Sequence, residues 1–146
     1  MLLQDHLTNE IDKREEIALR AENLFRNGFN CCESMLKSSI EVLNLPLPED
    51  AYLMGRFFRE GVAGSGCICG ALVGGIMMLG FLSKGNIYGV EKAEHFKNKF
   101  IEEYGSTCCR VIRKKQSLTE RFRNKQCKQI TKFSAGLLCE MLQRNE

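Results

Sequence analysis

The feature that most restricts the fold is an uncharged segment of the chain, Gly61 to Ser83. It begins with the glycine-rich stretch GVAGSG and continues as an apolar run from about Cys69 to Leu82. Each glycine costs about 1 kcal/mol relative to alanine inside a helix, so the first part predicts a loop. The apolar remainder, about 14 residues, has the length of a helix buried in a protein core and is too short to span a bilayer as a helix. We therefore expect a glycine-rich loop that leads into a buried helix, and no membrane span.

Helical periodicity dominates the rest of the chain. The 146 residues include only two prolines, and no segment alternates polar with apolar side chains as a strand would. Helices are predicted over about residues 7–27, 31–43, 48–58, 69–82 and 90–104, with a short one after 107 and a last one after 124. The sequence therefore predicts one all-α domain over residues 1–146, a compact bundle of about six to seven helices around the buried central helix.

Capping residues mark several of these boundaries. Asn30, followed three residues later by Glu33, has the pattern of a capping box. Pro48 suits the first turn of the third helix, which would carry Leu53 and Phe57 on its apolar side. The other predicted boundary residues are Gly28, Gly85 and Gly105 as helix ends, and Ser106 or Thr107 and Asn124 as N-caps.

Basic residues concentrate towards the C-terminal end. Residues 110–146 carry ten basic and three acidic side chains, whereas residues 1–60 carry seven basic and eleven acidic ones. The basic cluster would form a solvated helix face, or would raise the positive potential around Cys109 and Cys127. Nucleic acid is not expected as a partner, because only Phe122 and Phe133 are available for stacking. The cluster consists of Arg110, Arg113, Lys114, Lys115, Arg121, Arg123, Lys125, Lys128 and Lys132.

Eight cysteines are the main indication of function. Seven of them lie in four places, and each place is predicted to open a helix. A helix N-terminus presents unpaired N–H groups and about half a positive charge, which stabilises the thiolate that acts as nucleophile or metal ligand. We therefore expect lowered thiol pKa values and convergence on one site. The four places are Cys31-Cys32, Cys67 with Cys69, Cys108-Cys109, and Cys127.

The cysteines also have a packing interpretation. A free cysteine is often a small buried hydrophobic residue. Cys32 and Cys127 lie on apolar stripes, and Cys139 lies in the middle of the last predicted helix. We interpret Cys139 as a residue that packs in the core, and the clustered cysteines as residues with a chemical role.

Spacing excludes several cysteine chemistries and leaves others open. The chain has no CxxC, CxxCH or HExxH, which argues against a thioredoxin-type pair, a zinc ribbon and an attached c-type haem. Adjacent cysteines form disulfides only with strained geometry, so partners on different helices are favoured. Thiolates from different helices could also hold zinc or an iron–sulfur cluster.

The glycines around residue 66 have two interpretations. Gly64 and Gly66 resemble the start of a dinucleotide-binding fingerprint, with Gly70 one position late, so Gly64, Gly66 and Gly70 are candidate phosphate-binding residues. No predicted strand precedes them, as that fingerprint requires. The alternative is packing, in which Gly70 with Gly74 and Ala71 with Gly75 form two small faces for close approach of neighbouring helices.

Four blocks carry a resemblance to a known family: GFNCCESML, GVAGSGCICGALVGGIMMLG, YGSTCCRVI and NKQCKQI. Their order and spacing, from about Glu16 to Leu142, resemble the redox-active protein family named for its C…CGAxxG…C…C pattern. The resemblance implies a small helical protein, with members often encoded near transporter genes. It also implies that the defining cysteines are Cys31, Cys69, Cys109 and Cys127. Cys32, Cys67 and Cys108 are additional, so either member of each pair could be the working thiol.

Three hypotheses for the function follow. In the first, the chain is a thiol redox protein with Cys31, Cys69, Cys109 and Cys127 as catalytic residues, Cys32, Cys67 and Cys108 in support, and a small molecule or a protein as redox partner. In the second, the same four cysteines bind a metal or an iron–sulfur cluster. In the third, the basic C-terminal segment docks onto a transporter. The first residues lack the pattern of a signal peptide, so a cytoplasmic location is expected, and a homo-oligomer is compatible with the sequence.

Overall fold

The computed structural model describes residues 2–115, 118–119 and 125–143, with side chains from residue 12 onward. This part of the chain contains six α-helices, two short 3-10 helices and no strand, so the all-α prediction is confirmed. The α-helices are α1 (Leu2–Arg26), α2 (Cys31–Val42), α3 (Gly70–Leu82), α4 (Tyr88–Tyr104), α5 (Cys109–Lys114) and α6 (Lys125–Gln143). The 3-10 helices are Glu49–Gly55 and Val62–Gly64.

Helix α3 is the central helix that the uncharged segment predicts. It packs against α2, α4 and α6, while α1 packs against α2 and α6. Phe96 and Phe100 of α4 and Leu138 of α6 are fully buried in the same core. Within the described residues, no helix is both long and apolar enough to cross a membrane. The segment from Gly61 to Ser83 is therefore a loop followed by a core helix.

Small residues allow α3 to lie close to its neighbours. A Cβ atom at Gly74 would lie 2.6 Å from the Cβ atom of Met35 on α2. A Cβ atom at Gly75 would meet the ring of Phe96 on α4. Glycine at these positions removes the clash and lets the helix backbones approach. The two small faces predicted for this helix are confirmed.

Most predicted helix boundaries are also found. The Asn30 side chain accepts a hydrogen bond from the Glu33 N–H at 2.8 Å, and the Glu33 carboxylate accepts one from the Asn30 N–H at 3.1 Å. This capping box starts α2 at Cys31. Gly105 ends α4 with φ 78°, a left-handed conformation that glycine adopts without strain. Asn124, the predicted N-cap of the last helix, lies outside the described residues.

Two local predictions are wrong. The helix expected from Pro48 to Phe58 is a 3-10 helix that ends at Gly55, and Phe57 is 79% exposed. The side-chain amide of Asn30 donates hydrogen bonds to the carbonyls of Gly55 and Arg56, which holds the chain in a turn at that point. At α5 the N-cap is Cys108, whose N–H donates to the Ser106 hydroxyl at 3.0 Å.

Candidate functional site

The structure brings four cysteines from four helix starts to one cavity. The cavity has a volume of about 190 Å³, and Cys31, Cys69, Cys109 and Cys127 all line it. None of the four belongs to a disulfide. They are the same four cysteines that the family resemblance implies, but whether they act as catalytic residues or as metal ligands stays a prediction.

Each of these cysteines is positioned by the first turn of a helix. Cys31 is the first residue of α2 and follows the Asn30 cap. Cys69 is the N-cap residue of α3, Cys109 is the first residue of α5, and Cys127 is the third residue of α6. The four helices differ in length and lie far apart in the sequence, yet their N-terminal ends meet at the cavity. A hydrogen bond from the Cys69 N–H to the Thr107 carbonyl at 2.8 Å ties two of these starts together.

Cys69 is the central thiol of the group. It is only 6% exposed, whereas Cys31, Cys109 and Cys127 are half-buried. The Cys69 thiol interacts with the thiols of both Cys31 and Cys109, and both interactions shift its pKa. Three of the four thiols thus interact, and the most buried one is the neighbour that the two more accessible ones share.

The pKa values of three cavity thiols are raised, whereas their positions at helix N-termini predict lowered values. The hydrogen bond from Cys109 lowers the pKa of Cys69, but the bond with Cys31 and burial raise it more, to about 12 in total. The hydrogen bond with Cys69, followed by burial, raises the pKa of Cys109, and burial raises the pKa of Cys127. The predicted lowering is therefore wrong for these three thiols, because burial and neighbouring thiols outweigh the helix N-termini.

One residue of the basic cluster does act on the cysteines as predicted. Arg113 lines the cavity, and its positive charge lowers the pKa values of Cys109 and Cys127 against the opposing effect of burial. The Arg113 guanidinium also pairs with the Glu60 carboxylate at 2.8 Å and lowers its pKa. Arg113 is therefore held at the cavity by an acidic partner while it faces two of the four thiols.

The structure separates the two members of each cysteine pair. Cys32 is fully buried, and its Sγ atom lies 2.8 Å from where a Cβ atom of Gly55 would stand. Burial raises the pKa of Cys32 to about 12. Cys67 and Cys108 form a disulfide between two separate chain segments, as expected for partners that are not adjacent in sequence. Cys139 is buried in the core, in agreement with its packing interpretation.

The candidate phosphate-binding glycines do not line this cavity. Gly70 faces α2, where a Cβ atom would lie 2.5 Å from the Cys31 Sγ atom. Gly66 packs against the Arg110 side chain, and Gly64 is exposed with open space around it. The three glycines thus have different surroundings, and phosphate binding by them stays a prediction.

The cavity walls include apolar residues that sequence reasoning missed. Phe25 near the end of α1, Phe29 from the turn between α1 and α2, Ile112 from α5 and Ile130 from α6 line the cavity together with the thiols. Phe25 lies on the apolar stripe of the first helix, which is the signal that could have indicated it. The cavity lining thus combines apolar side chains with thiols and charged groups.

The described residues do not present a ready-made metal site. No group of three or more His, Cys, Asp and Glu side chains within them is arranged to hold a metal ion. Cys127 interacts electrostatically with Cys109, whereas Cys69 interacts with both Cys31 and Cys109. Binding of zinc or an iron–sulfur cluster stays a prediction.

Comparison with known proteins places the chain in a family. A protein of Archaeoglobus fulgidus with the name "Uncharacterized protein" is 29% identical over 104 residues, which is 71% of this chain and 68% of that protein. No solved structure matches the chain significantly. The model of the family described as "Putative redox-active protein (C_GCAxxG_C_C)" matches residues 29–141, a range that contains all four cavity cysteines. The chain belongs to this C_GCAxxG_C_C redox-active family.

Proposed function

We propose that the protein is a dithiol–disulfide redox protein in which Cys69 is the shared thiol. The observation that carries the proposal is that Cys31, Cys69 and Cys109 line one cavity, in which the Cys69 thiol interacts with both of the others. Two thiols in contact become a disulfide by losing two electrons and two protons. The site therefore has two alternative internal disulfides, Cys31–Cys69 and Cys69–Cys109.

Accessibility assigns an order to the exchange. Cys31 is half-buried, lines the cavity and stands at the start of a well-capped helix, so it meets an incoming disulfide before the buried Cys69 does. Its thiolate attacks one sulfur of that disulfide, a mixed disulfide forms, and the other sulfur leaves as a thiolate. Cys69 then attacks the Cys31 sulfur, so the Cys31–Cys69 bond forms and the second substrate sulfur leaves. The two departing thiolates take up the protons of Cys31 and Cys69.

The raised pKa of Cys69 suits the second step rather than the first. With a pKa of about 12, Cys69 stays protonated near neutral pH and is a poor first nucleophile. Once Cys31 carries a mixed disulfide, the Cys69 thiol is already beside the sulfur that it attacks, so proximity compensates for its low thiolate fraction. Cys31 is thus the more accessible attacking thiol, and Cys69 is the buried resolving thiol.

The cavity limits the substrate that can enter. Its volume of about 190 Å³ exceeds the roughly 150 Å³ of an engineered cavity that admits benzene, so it accommodates a small organic group. The apolar side chains of Phe29 and Ile112 line it, and Arg59 and Arg113 add positive charge. We propose a small organic disulfide, or the cysteine side chain of a partner protein, as the group that reacts there.

An exchange assay with one matched control tests the proposal. The cavity thiols of the protein are first reduced. The protein then reduces a small aromatic disulfide, and release of the aromatic thiol is followed by absorbance. We expect Cys69→Ala to lower the rate of completed exchange at least tenfold, with the mixed disulfide on Cys31 accumulating. Cys139→Ala, which removes an equally buried thiol away from the cavity, is expected to stay within twofold of the unmodified protein. An unchanged rate in Cys69→Ala would contradict the proposal.

A further inference from the structure

The Cys67–Cys108 disulfide lies directly beside the proposed redox site. Its two Cα atoms are 4.2 Å apart, and it joins the glycine-rich loop to the N-cap residue of α5. Two backbone hydrogen bonds flank it: the Cys69 N–H donates to the Thr107 carbonyl at 2.8 Å, and the Arg110 N–H donates to the Gly66 carbonyl at 2.9 Å. The disulfide and both hydrogen bonds thus connect the same two short segments.

The same two segments carry the Cys69–Cys109 thiol contact. Cys67 and Cys69 belong to the first segment, and Cys108 and Cys109 belong to the second. One pair is covalently linked, and the thiols of the other pair line the same cavity and interact there. Because Cys108 and Cys109 are adjacent, any shift of the second segment relative to the first changes the distance between the Cys69 and Cys109 sulfur atoms.

Helix α5 depends on contacts of this kind to keep its position. It has only six residues, and a helix of that length is not stable by itself. At its N-terminal end it is held by the disulfide and the flanking hydrogen bonds. Further along, Ile112 is buried and Arg113 pairs with Glu60. Cys31, in contrast, is positioned by the capping box of the twelve-residue α2 and not by the disulfide.

We propose that Cys67–Cys108 is a second redox-active pair, a clasp whose closed state holds Cys109 against Cys69. With the clasp closed, Cys69 has both Cys109 and Cys31 as partners. With the clasp open, α5 is held less firmly, Cys109 separates from Cys69, and Cys31 is the remaining partner of Cys69. The proposal rests on the proposed function for the use of these thiols in exchange, and it adds control over which disulfide the site forms.

Opening the clasp requires an external reductant, which we assign to the class of dithiols. A thiolate of the dithiol attacks the sulfur of Cys67 or Cys108, the Cys67–Cys108 bond breaks, and a mixed disulfide forms. The second thiol of the reductant resolves it and becomes part of a disulfide. Cys67 and Cys108 together gain two electrons and two protons, and the dithiol loses the same number. Both cysteines are half-buried, so they are partly exposed to a small dithiol.

Thiol labelling measures the clasp without any exchange reaction. The unmodified protein is titrated with a small dithiol, and the alkylation rates of Cys31, Cys69 and Cys109 are determined by peptide mass spectrometry. We expect the rate at Cys109 to rise at least fivefold in step with the appearance of Cys67 and Cys108 thiols, while Cys31 changes less than twofold. A Cys109 rate that stays within twofold after the Cys67–Cys108 disulfide has been reduced would overturn the clasp.

A variant makes the same measurement independent of the reductant. The double substitution Cys67→Ala and Cys108→Ala removes the bond and leaves no unpaired thiol in its place. We expect the same acceleration at Cys109, with Cys139→Ala as the control that retains the disulfide. If Cys109 labelling accelerates but the protein does not carry out the exchange reaction, the proposed function is rejected and the clasp is retained. If exchange is normal but Cys109 labelling is unchanged, the clasp is rejected.

Discussion

At the scale of single residues, the site depends on a glycine as much as on its cysteines. Gly70 follows Cys69, and its missing side chain leaves room for the Cys31 thiol and for the Phe58 carbonyl, which would lie 2.5 Å and 2.8 Å from a Cβ atom. The Cys31 sulfur can contact Cys69 only because α2 and α3 approach each other at this position. The CGA motif thus combines a thiol with the space for its partner.

Gly70→Ala therefore tests the role of this close approach. We expect it to lower the free energy of unfolding by about 1–3 kcal/mol, because the added methyl group overpacks the contact with Cys31. We also expect the Cys31–Cys69 disulfide to form several-fold more slowly. Chemical denaturation and disulfide mapping by mass spectrometry measure the two effects.

Gly80 on the same helix provides the matched control. A Cβ atom there would have nothing within 4 Å, so Gly80→Ala is expected to stabilise α3 by up to about 1 kcal/mol and to leave disulfide formation unchanged. Equal effects of the two substitutions would show that helix propensity, and not the space around Cys31, governs the result at Gly70.

At the scale of elements, the helix starts bring the thiols together but do not by themselves set their ionisation. Four helix N-termini meet at the cavity, yet the pKa values of Cys69, Cys109 and Cys127 are all raised. A partial charge at a helix end is screened and short-ranged, whereas burial removes the water that would solvate a thiolate. The positive charge that lowers the pKa values of two of these thiols, Cys109 and Cys127, belongs to Arg113, a side chain of α5.

Substitution of Arg113 by glutamine is expected to shift the pH profile of thiol labelling. Removal of the positive charge raises the pKa values of Cys109 and Cys127 further, so less thiolate is present at any pH below them. At pH 8 we expect alkylation of Cys127 to slow by about two- to tenfold, because one pKa unit changes the thiolate fraction about tenfold. The rise of the rate with pH should move to higher pH.

Lys114→Gln is the control for this charge effect. Lys114 is the next residue of α5, is exposed and does not line the cavity. Its substitution removes the same formal charge from the same helix and should leave the Cys127 profile within twofold of the unmodified protein. If the two variants shift the profile equally, the general basic character of the C-terminal region is responsible and not the placement of Arg113.

At the scale of the whole molecule, the sequence indicates the all-α architecture and the four cavity cysteines, but not how each cysteine pair divides its roles. Periodicity and capping residues are local signals, which explains why α3 and the Asn30 capping box are predicted well. The division between Cys31 and Cys32 depends on which thiol Gly55 and Gly70 contact, a property of tertiary packing. The sign of the pKa shifts and the wall formed by Ile112 and Ile130 likewise arise only when the helices assemble.

The central claim is that Cys69 is the shared partner in the internal disulfides of the cavity. The most direct measurement is disulfide mapping by mass spectrometry after the protein has been equilibrated in buffers of increasing oxidising strength. We predict a loss of two mass units from the cavity thiols, with Cys69 linked to Cys31 or to Cys109. Cavity thiols that remain reduced throughout, or a first-formed disulfide that leaves Cys69 out, would contradict the account.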